Sequence, residues 1–135
     1  MFELSVQAEF CAAHAIVMAG QREAVHGHNW RVTATIAGPN LDADGLLCDF
    51  HLVEAVLREV IGPYHNADLN RVPPFTDVNP TAENVAKHIA DTLAARLGGR
   101  LPPGAGVAWV RVTEAPGCST TYRPGQGRRG SGAGV

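Results

Sequence analysis

The sequence predicts an α+β domain whose elements follow the order β-β-α-α-β-β. Apolar residues recur at every second position near both ends of the chain, and at every third or fourth position in its middle. The first spacing is typical of a strand with one buried face, and the second of an amphipathic helix. Strands that precede and follow a helix pair form an antiparallel sheet, here of four strands, with both helices on one face.

Four segments account for the strands. Polar and apolar side chains alternate over Phe2–Phe10, and we expect this strand to end at His14. The alternation returns over Trp30–Ala37, where the sequence Gly-Pro-Asn ends it. Val107–Glu114 is rich in β-branched residues and forms the third strand. Thr120–Arg123 follows the turn Ala-Pro-Gly as a short fourth strand.

Two segments account for the helices. Asp49 is expected to cap the first helix, which ends at Gly62. Asn79 is expected to cap the second, with Pro80 at the first helical position and Gly98 after the last turn. Between these signals, apolar residues recur at three- and four-residue spacing. Each helix therefore presents one apolar stripe to the sheet.

Length and composition indicate one domain, residues 1–124, followed by a glycine-rich segment, residues 125–135, that we expect to be disordered. A net charge of -2 gives no general attraction to nucleic acid. No apolar run approaches the roughly 20 residues of a membrane-spanning helix. The N-terminus lacks the pattern of a signal peptide, and the three cysteines are widely spaced. We therefore expect a cytoplasmic protein with reduced thiols, no nucleic-acid partner and no membrane partner.

Three histidines form a candidate metal site. His26 and His28 are two residues apart, so in a strand their side chains point to the same side. A neighbouring antiparallel strand would bring His14 beside them. Three imidazole ligands with one open position are the arrangement of catalytic zinc. The alternative is a loop in which the His-x-His pair makes hydrogen bonds only.

Five motifs occur in one order along the chain: FCAAH (Phe10–His14), HGHNW (His26–Trp30), DADGLLCDF (Asp42–Phe50), NPTAENVA (Asn79–Ala86) and VRVTEAPGC (Val110–Cys118). Together they resemble the 6-pyruvoyl-tetrahydropterin synthase family, which includes the 6-carboxytetrahydropterin synthases. The resemblance implies the tunnelling fold, in which trimers close their sheets into a barrel and usually pair into a hexamer. We therefore expect a homo-oligomer, either a trimer or a hexamer.

The resemblance also implies a set of site residues. Zinc would be held by His14, His26 and His28, and the substrate would be a pterin, usually 7,8-dihydroneopterin triphosphate. Glu114 would anchor the pterin ring with help from Thr81, because a carboxylate accepts paired hydrogen bonds from amino and ring N–H groups. Without the resemblance, Glu114 would be interpreted as a solvated strand end and Thr81 as a helix-terminal hydroxyl.

One departure from the family pattern lies just before the histidine pair. The family places its catalytic cysteine four residues before the first histidine of His-Gly-His, and Arg22 occupies that position here. Glu23 follows, and the pattern Glu-x-x-His-Gly-His resembles the third-type branch of the family. In that branch a glutamate is the base and the product is 6-hydroxymethyl-7,8-dihydropterin. We therefore predict a zinc-dependent lyase with Glu23 as catalytic base.

Two alternatives stay open. One is a 6-carboxy- or 6-pyruvoyl-tetrahydropterin synthase with an altered proton relay. The other is a zinc-containing protein that binds a pterin without turnover, in which Glu23 is only a charged loop residue.

A second departure lies in the sequence PYHNADLN, which aligns His65 and Asn66 with the Asp-His pair of the family. We keep His65 as a candidate catalytic acid, because a one-residue shift of the loop would restore the position.

Overall fold

The computed structural model describes residues 1–125 and confirms the α+β class, with two helices packed on one face of a sheet. The strands are β1 (Phe2–His14), β2 (Val17–Met18), β3 (Gln21–Arg22), β4 (His26–Gly38), β5 (Ala67–Asp68), β6 (Gly106–Ala115) and β7 (Cys118–Tyr122). The helices are α1 (Phe50–Ile61) and α2 (Ala82–Leu97). Apart from Gly125, the segment that we expect to be disordered lies outside the described residues.

The main sheet has the strand order β5-β1-β4-β6-β7. Its centre is the antiparallel pair of β1 and β4, which runs from Phe2 opposite Gly38 to His14 opposite His26. The predicted four strands are all present, and a fifth is added: the two-residue β5 pairs with β1 in parallel. The sheet is therefore mixed, although most of its pairs are antiparallel. Strand β4 begins four residues earlier than predicted, so the His-Gly-His segment belongs to the strand.

The helix boundaries agree with the sequence prediction at α1 and differ at α2. Asp49 caps α1, and its carboxylate accepts a hydrogen bond from the His51 N–H at 2.8 Å. The predicted cap of α2 at Asn79 is wrong, because Thr81 is the N-cap and its hydroxyl accepts from the Asn84 N–H at 3.1 Å. The side-chain amide of Asn79 is engaged elsewhere, with the backbone of Val17.

The core lies between the helices and the sheet face that the alternating pattern defines. The even-numbered residues of β1 from Leu4 onward and of β4 from Trp30 onward are buried on this face, as are the apolar stripes of both helices. Cys48 is part of this core. His88 lies half-buried on α2 with its ring edge-on to Tyr64 and Phe75. No helix among residues 1–125 is long and apolar enough to cross a membrane.

A small hairpin carries the chain from the end of β1 back to the start of β4. Strands β2 and β3 pair antiparallel, with Met18 opposite Gln21. Ala19 and Gly20 form the two-residue loop between them, and both have positive φ, 51° and 77°. Such loops match the right-handed twist of paired strands. The hairpin therefore places Glu23 opposite the residues that follow His14.

Candidate metal centre

Three imidazoles meet at one end of the β1–β4 ladder. His14 ends β1 opposite His26, and His28 lies two residues further along β4, opposite Ala12. One ligand nitrogen of each ring lies within 4.8 Å of one from each of the others. The rings stand edge to face, with centroids 4.7 to 5.1 Å apart. The strand register therefore brings together the three histidines that the sequence singled out.

Backbone carbonyls orient two of these rings from outside. The Nδ1 of His14 lies 2.8 Å from the carbonyl oxygen of Pro80, and the Nδ1 of His26 lies 2.9 Å from that of Ala24. A carbonyl oxygen only accepts hydrogen bonds, so in both neutral rings Nδ1 carries the proton and donates it. Each Nε2 then has a free lone pair, as in the histidine ligands of metal sites.

Two of the inner nitrogens are buried without a partner. The Nε2 atoms of His14 and His28 have no solvent contact and no hydrogen bond within residues 1–125. Burial lowers the pKa of His28; the Glu114 carboxylate opposes this shift, and the neighbouring imidazoles reinforce it. A neutral imidazole is the form that binds a metal ion. Unpaired buried nitrogens are costly, so this donor set fits a bound cation.

Glu114, near the end of β6, faces the same point. Its Oε1 lies 3.0 Å from Nε2 of His14 and 3.7 Å from Nε2 of His28. The 3.0 Å approach is not a hydrogen bond, because in this tautomer both atoms present lone pairs. A cation among these groups would relieve their repulsion. The geometry therefore makes Glu114 a neighbour of the candidate metal, while its role as pterin anchor stays a prediction.

A cavity of about 520 Å³ adjoins this point. Glu114, His28, Thr113 and Arg31 contribute to its wall. Its size is within the usual range for pockets that bind small molecules. The guanidinium of Arg31 already contacts the carboxylate of Glu9 at 3.0 Å, which neutralises part of its charge. The cavity has room for a heterocycle next to the Glu114 carboxylate.

Glu23 lies beside the cluster, on the outer side of His26. Its Oε1 accepts a hydrogen bond from the Ile16 N–H at 3.0 Å and lies 3.7 Å from Nδ1 of His26. The side chain is about a third exposed, at 32%. Glu23 does not contribute to the wall of the Glu114 cavity. The structure thus places it next to a candidate metal ligand, with its second oxygen in no hydrogen bond within the described chain.

Two further predicted site residues lie away from the cluster. His65 is exposed at the outer edge of β1, where its Nδ1 accepts from the Cys11 N–H at 3.3 Å. Cys11 is three residues before His14, or roughly 10 Å along an extended strand. The hydroxyl of Thr81 is engaged in capping α2. A catalytic role for His65 and a substrate-binding role for Thr81 stay predictions.

Sequence reasoning missed the groups that orient the cluster. The carbonyls of Pro80 and Ala24 hold two imidazoles, and a backbone carbonyl has no sequence signature. The amides of Asn70 and Asn79 bind the backbone just after His14. Asn79 was recognised only as a helix-start residue, since an asparagine before proline also fits that role.

Comparison with known sequences identifies the family. The model of the 6-pyruvoyl tetrahydropterin synthase family matches residues 3–125. The 6-carboxy-5,6,7,8-tetrahydropterin synthase of Bacillus subtilis is 35% identical, over 93% of this chain and 88% of its own length. The human 6-pyruvoyl tetrahydrobiopterin synthase is 37% identical, over 50% of this chain and 48% of its own length.

Solved structures share the fold. The 6-pyruvoyl tetrahydropterin synthase of Caenorhabditis elegans superposes with a TM-score of 0.78 at 21% identity, covering 90% of this chain and 94% of that one. The Plasmodium vivax enzyme gives a TM-score of 0.71 at 22% identity, covering 90% and 96%. With the nearly full-length match to the family model, these findings establish that the chain belongs to the 6-pyruvoyl tetrahydropterin synthase family of pterin-biosynthesis enzymes.

Proposed function

We propose that this protein is a zinc-dependent lyase that cleaves the side chain of 7,8-dihydroneopterin triphosphate to give 6-hydroxymethyl-7,8-dihydropterin. His14, His26 and His28 would hold the zinc ion, Glu23 would be the base, and Glu114 would bind the pterin. The observation that carries the proposal is the convergence of three imidazoles with a carboxylate, rather than a thiol, beside the second.

A catalytic glutamate has a parallel in a fold relative. Two solved structures of the Plasmodium vivax 6-pyruvoyltetrahydropterin synthase are variants in which a catalytic glutamate of that enzyme is replaced, by alanine in one and by cysteine in the other. In this chain Glu23 is the acidic residue nearest in sequence before the His-Gly-His segment, and Arg22 stands where the family resemblance expects cysteine. Both facts favour Glu23 as the base.

The cleavage requires one proton acceptor that later returns its proton. Glu23 would take the proton of the hydroxyl on the second side-chain carbon, and the bond between the first and second carbons would break. The second carbon would leave as the aldehyde of a two-carbon fragment that carries the triphosphate. The electron pair would remain on the first carbon, in conjugation with the ring, until that carbon takes the proton back. Zinc, when bound, supplies Lewis acidity that lowers the pKa of a substrate hydroxyl.

A second candidate function is 6-carboxytetrahydropterin synthase activity. The observation that favours it is the 35% identity to the Bacillus subtilis protein of that name over most of both chains. The two candidates share the metal cluster and the pterin cavity. They differ in the product, which keeps a one-carbon hydroxymethyl group in the first case and a carboxyl group in the second.

Assembly into a barrel is part of the proposal. Within residues 1–125, β1 has no neighbouring strand along most of its outer edge, since β5 pairs only with Ala12 and Ala13. Strand β7 forms the opposite edge of the sheet. Open edges of this length favour pairing with another copy. We expect a trimer or a hexamer, which light scattering of the purified protein would measure.

The experiment that tests the function is a product analysis. Zinc-loaded protein is incubated with 7,8-dihydroneopterin triphosphate, and the pterin product is identified by mass spectrometry. We expect 6-hydroxymethyl-7,8-dihydropterin, and we expect Glu23→Gln to lower its rate of formation at least about 100-fold. The matched control is Glu54→Gln on α1, where the side chain is partly exposed and pairs with Arg58; this variant should keep the wild-type rate.

The other outcomes separate the alternatives. A carboxylated or three-carbon product would contradict the cleavage and support the synthase alternative. Unchanged substrate together with stoichiometric zinc would support a binding protein without turnover. Cleavage that persists at the wild-type rate in Glu23→Gln would exclude this carboxylate as the base.

A further inference from the structure

The residues that follow His14 are held by other parts of the chain at every backbone polar group. Residues 15–17, which we call the connecting segment, lead from His14 into strand β2, whose first residue is Val17. All three of their N–H groups and all three of their carbonyls are hydrogen-bonded to residues distant in sequence or across the hairpin. Asparagine side chains make four of these six bonds.

Two asparagine amides each bind one residue of the segment at two points. The Oδ1 of Asn70 accepts from the Ala15 N–H at 2.8 Å, and its Nδ2 donates to the Ala15 carbonyl at 2.9 Å. The Oδ1 of Asn79 accepts from the Val17 N–H at 2.9 Å, and its Nδ2 donates to the Val17 carbonyl at 2.9 Å. A side-chain amide here pairs with the backbone as a neighbouring strand would, and it does so in one orientation only.

The residue between them is held by the candidate base. Ile16 donates its N–H to Oε1 of Glu23 at 3.0 Å, and its carbonyl accepts from the Glu23 N–H at 3.0 Å. The same oxygen of Glu23 lies 3.7 Å from His26. A displacement of the connecting segment would therefore move the Glu23 carboxylate relative to the imidazole of His26.

The loop before α2 also binds the chain on both sides of the connecting segment's start. His14 donates from Nδ1 to the carbonyl of Pro80, and Pro80 directly follows Asn79. Asn79 is itself fixed from α2, because its carbonyl accepts from Nδ2 of Asn84 at 2.9 Å. The loop before α2 is thus hydrogen-bonded to the chain at both His14 and Val17. These contacts form one connected set that includes a candidate metal ligand and the candidate base.

From this geometry we propose that Asn70 and Asn79 are positioning residues, which fix the connecting segment so that His14 and Glu23 keep the spacing that metal binding and proton transfer require. The part that concerns proton transfer rests on the proposed function. The part that concerns metal binding rests only on the zinc site within that proposal, and not on the reaction. Groups that orient metal ligands from outside typically change affinity by about 10- to 100-fold when they are altered.

The test uses the isosteric substitution Asn79→Asp in the full-length protein. It retains the acceptor for the Val17 N–H and replaces the Nδ2–H donor with an oxygen that faces the Val17 carbonyl. The control is Asn40→Asp, which makes the same chemical change at an exposed loop position far along the chain from the cluster. We expect zinc affinity, measured by chelator competition, to fall about 10-fold or more in Asn79→Asp and to stay within twofold of wild type in the control.

A second readout separates positioning from general stability. With cobalt in place of zinc, the visible absorption spectrum reports ligand geometry, and it should shift in Asn79→Asp and in Asn70→Asp but not in Asn40→Asp. Unchanged zinc affinity and unchanged cobalt spectra in both asparagine variants, even with a lowered Tm, would overturn the proposal.

Hydrogen exchange of peptides that cover residues 15–17 tests the wild-type protein directly. Slow exchange, comparable with the β1–β4 ladder, is expected, and fast exchange would overturn the proposal without any variant.

The coupling to Glu23 is tested by a double variant. If Asn79 acts on turnover through Glu23, Asn79→Asp should lower kcat about 10-fold in the wild type with KM little changed, and by less than about twofold in Glu23→Gln. If Asn79→Asp lowered kcat about 10-fold in Glu23→Gln as well, the two substitutions would act independently. That result would contradict the link to Glu23. Should the wild type fail to turn over the substrate, the proposed function would be wrong, whereas a zinc affinity lowered only in the asparagine variants would still support their positioning role.

Discussion

The two halves of the β1–β4 ladder share one face of the sheet and differ in what that face carries. In the middle of the ladder, Phe10 and Trp30 lie opposite each other with stacked rings, 5.7 Å between centroids, beneath the helices. At the end of the ladder, the same alternation presents His14, His26 and His28. The strand pairing is continuous across the two regions. Core and site therefore differ only in their side chains and in the elements that pack over them.

This difference shows how the sheet face that forms the core can also carry a metal site at its end. Strand alternation places the imidazoles on the same side of the sheet as Trp30. The rings of His14 and His28 stand edge-on to the Trp30 ring, with centroids 4.9 and 5.7 Å away. The groups that pack over this face change from helix side chains to a loop, in which the Pro80 carbonyl accepts a hydrogen bond from Nδ1 of His14. Preorganised ligands of this kind lose little conformational entropy when a metal binds.

The largest effect is expected in the middle of the ladder. Trp30 is fully buried, and its Nε1 donates to the Ala12 carbonyl at 3.1 Å. Trp30→Ala should lower the free energy of unfolding by about 3–5 kcal/mol, since it leaves a cavity and removes this hydrogen bond. Chemical denaturation of the metal-free protein measures this loss, and Trp30→Phe should cost less. A loss below about 1 kcal/mol would contradict the assignment of Trp30 to the part of the ladder that stabilises the fold.

The opposite pattern is expected at the end of the ladder. His26 is 41% exposed, so His26→Ala should change the stability of the metal-free protein by about 0.5 kcal/mol or less. The same variant should lose at least about 100-fold in zinc affinity, because one of three ligands is gone. Isothermal titration with zinc measures the affinity, with His51→Ala on α1 as control. Wild-type affinity in His26→Ala would exclude this residue from the metal site.

The smallest effect extends the comparison to a half-buried histidine on α2. Burial lowers the pKa of His88, with Asp91 opposing and Arg96 reinforcing the shift. The unfolded chain then takes up this proton at a higher pH than the folded protein, so stability falls as the pH drops below about 6.5. His88→Phe removes the titrating group and keeps the aromatic contacts with Tyr64 and Phe75. The fall in Tm of metal-free protein from pH 7 to pH 5 should shrink by about 2 °C, and an unchanged fall would contradict a buried neutral His88.

Much of the fold could be predicted because its signals are local. Period-two alternation located β1 and the core half of β4, and the Asp49 cap located the start of α1. The His-Gly-His extension of β4 was missed, since two histidines and a glycine carry no strand pattern of their own. The two-residue β5 was missed because it is defined only by its pairing with the end of β1.

The sequence by itself determined the α+β class, the three histidines and, through its motifs, the family to which the chain belongs. It did so because residue periodicity and residue type are properties of the chain alone. The tertiary structure decided which groups surround those histidines. Glu114 arrives from β6, and the amides of Asn70 and Asn79 arrive from two loops. These contacts join residues more than 50 positions apart, and only the packing of helices and loops against the end of the sheet brings them within hydrogen-bond distance.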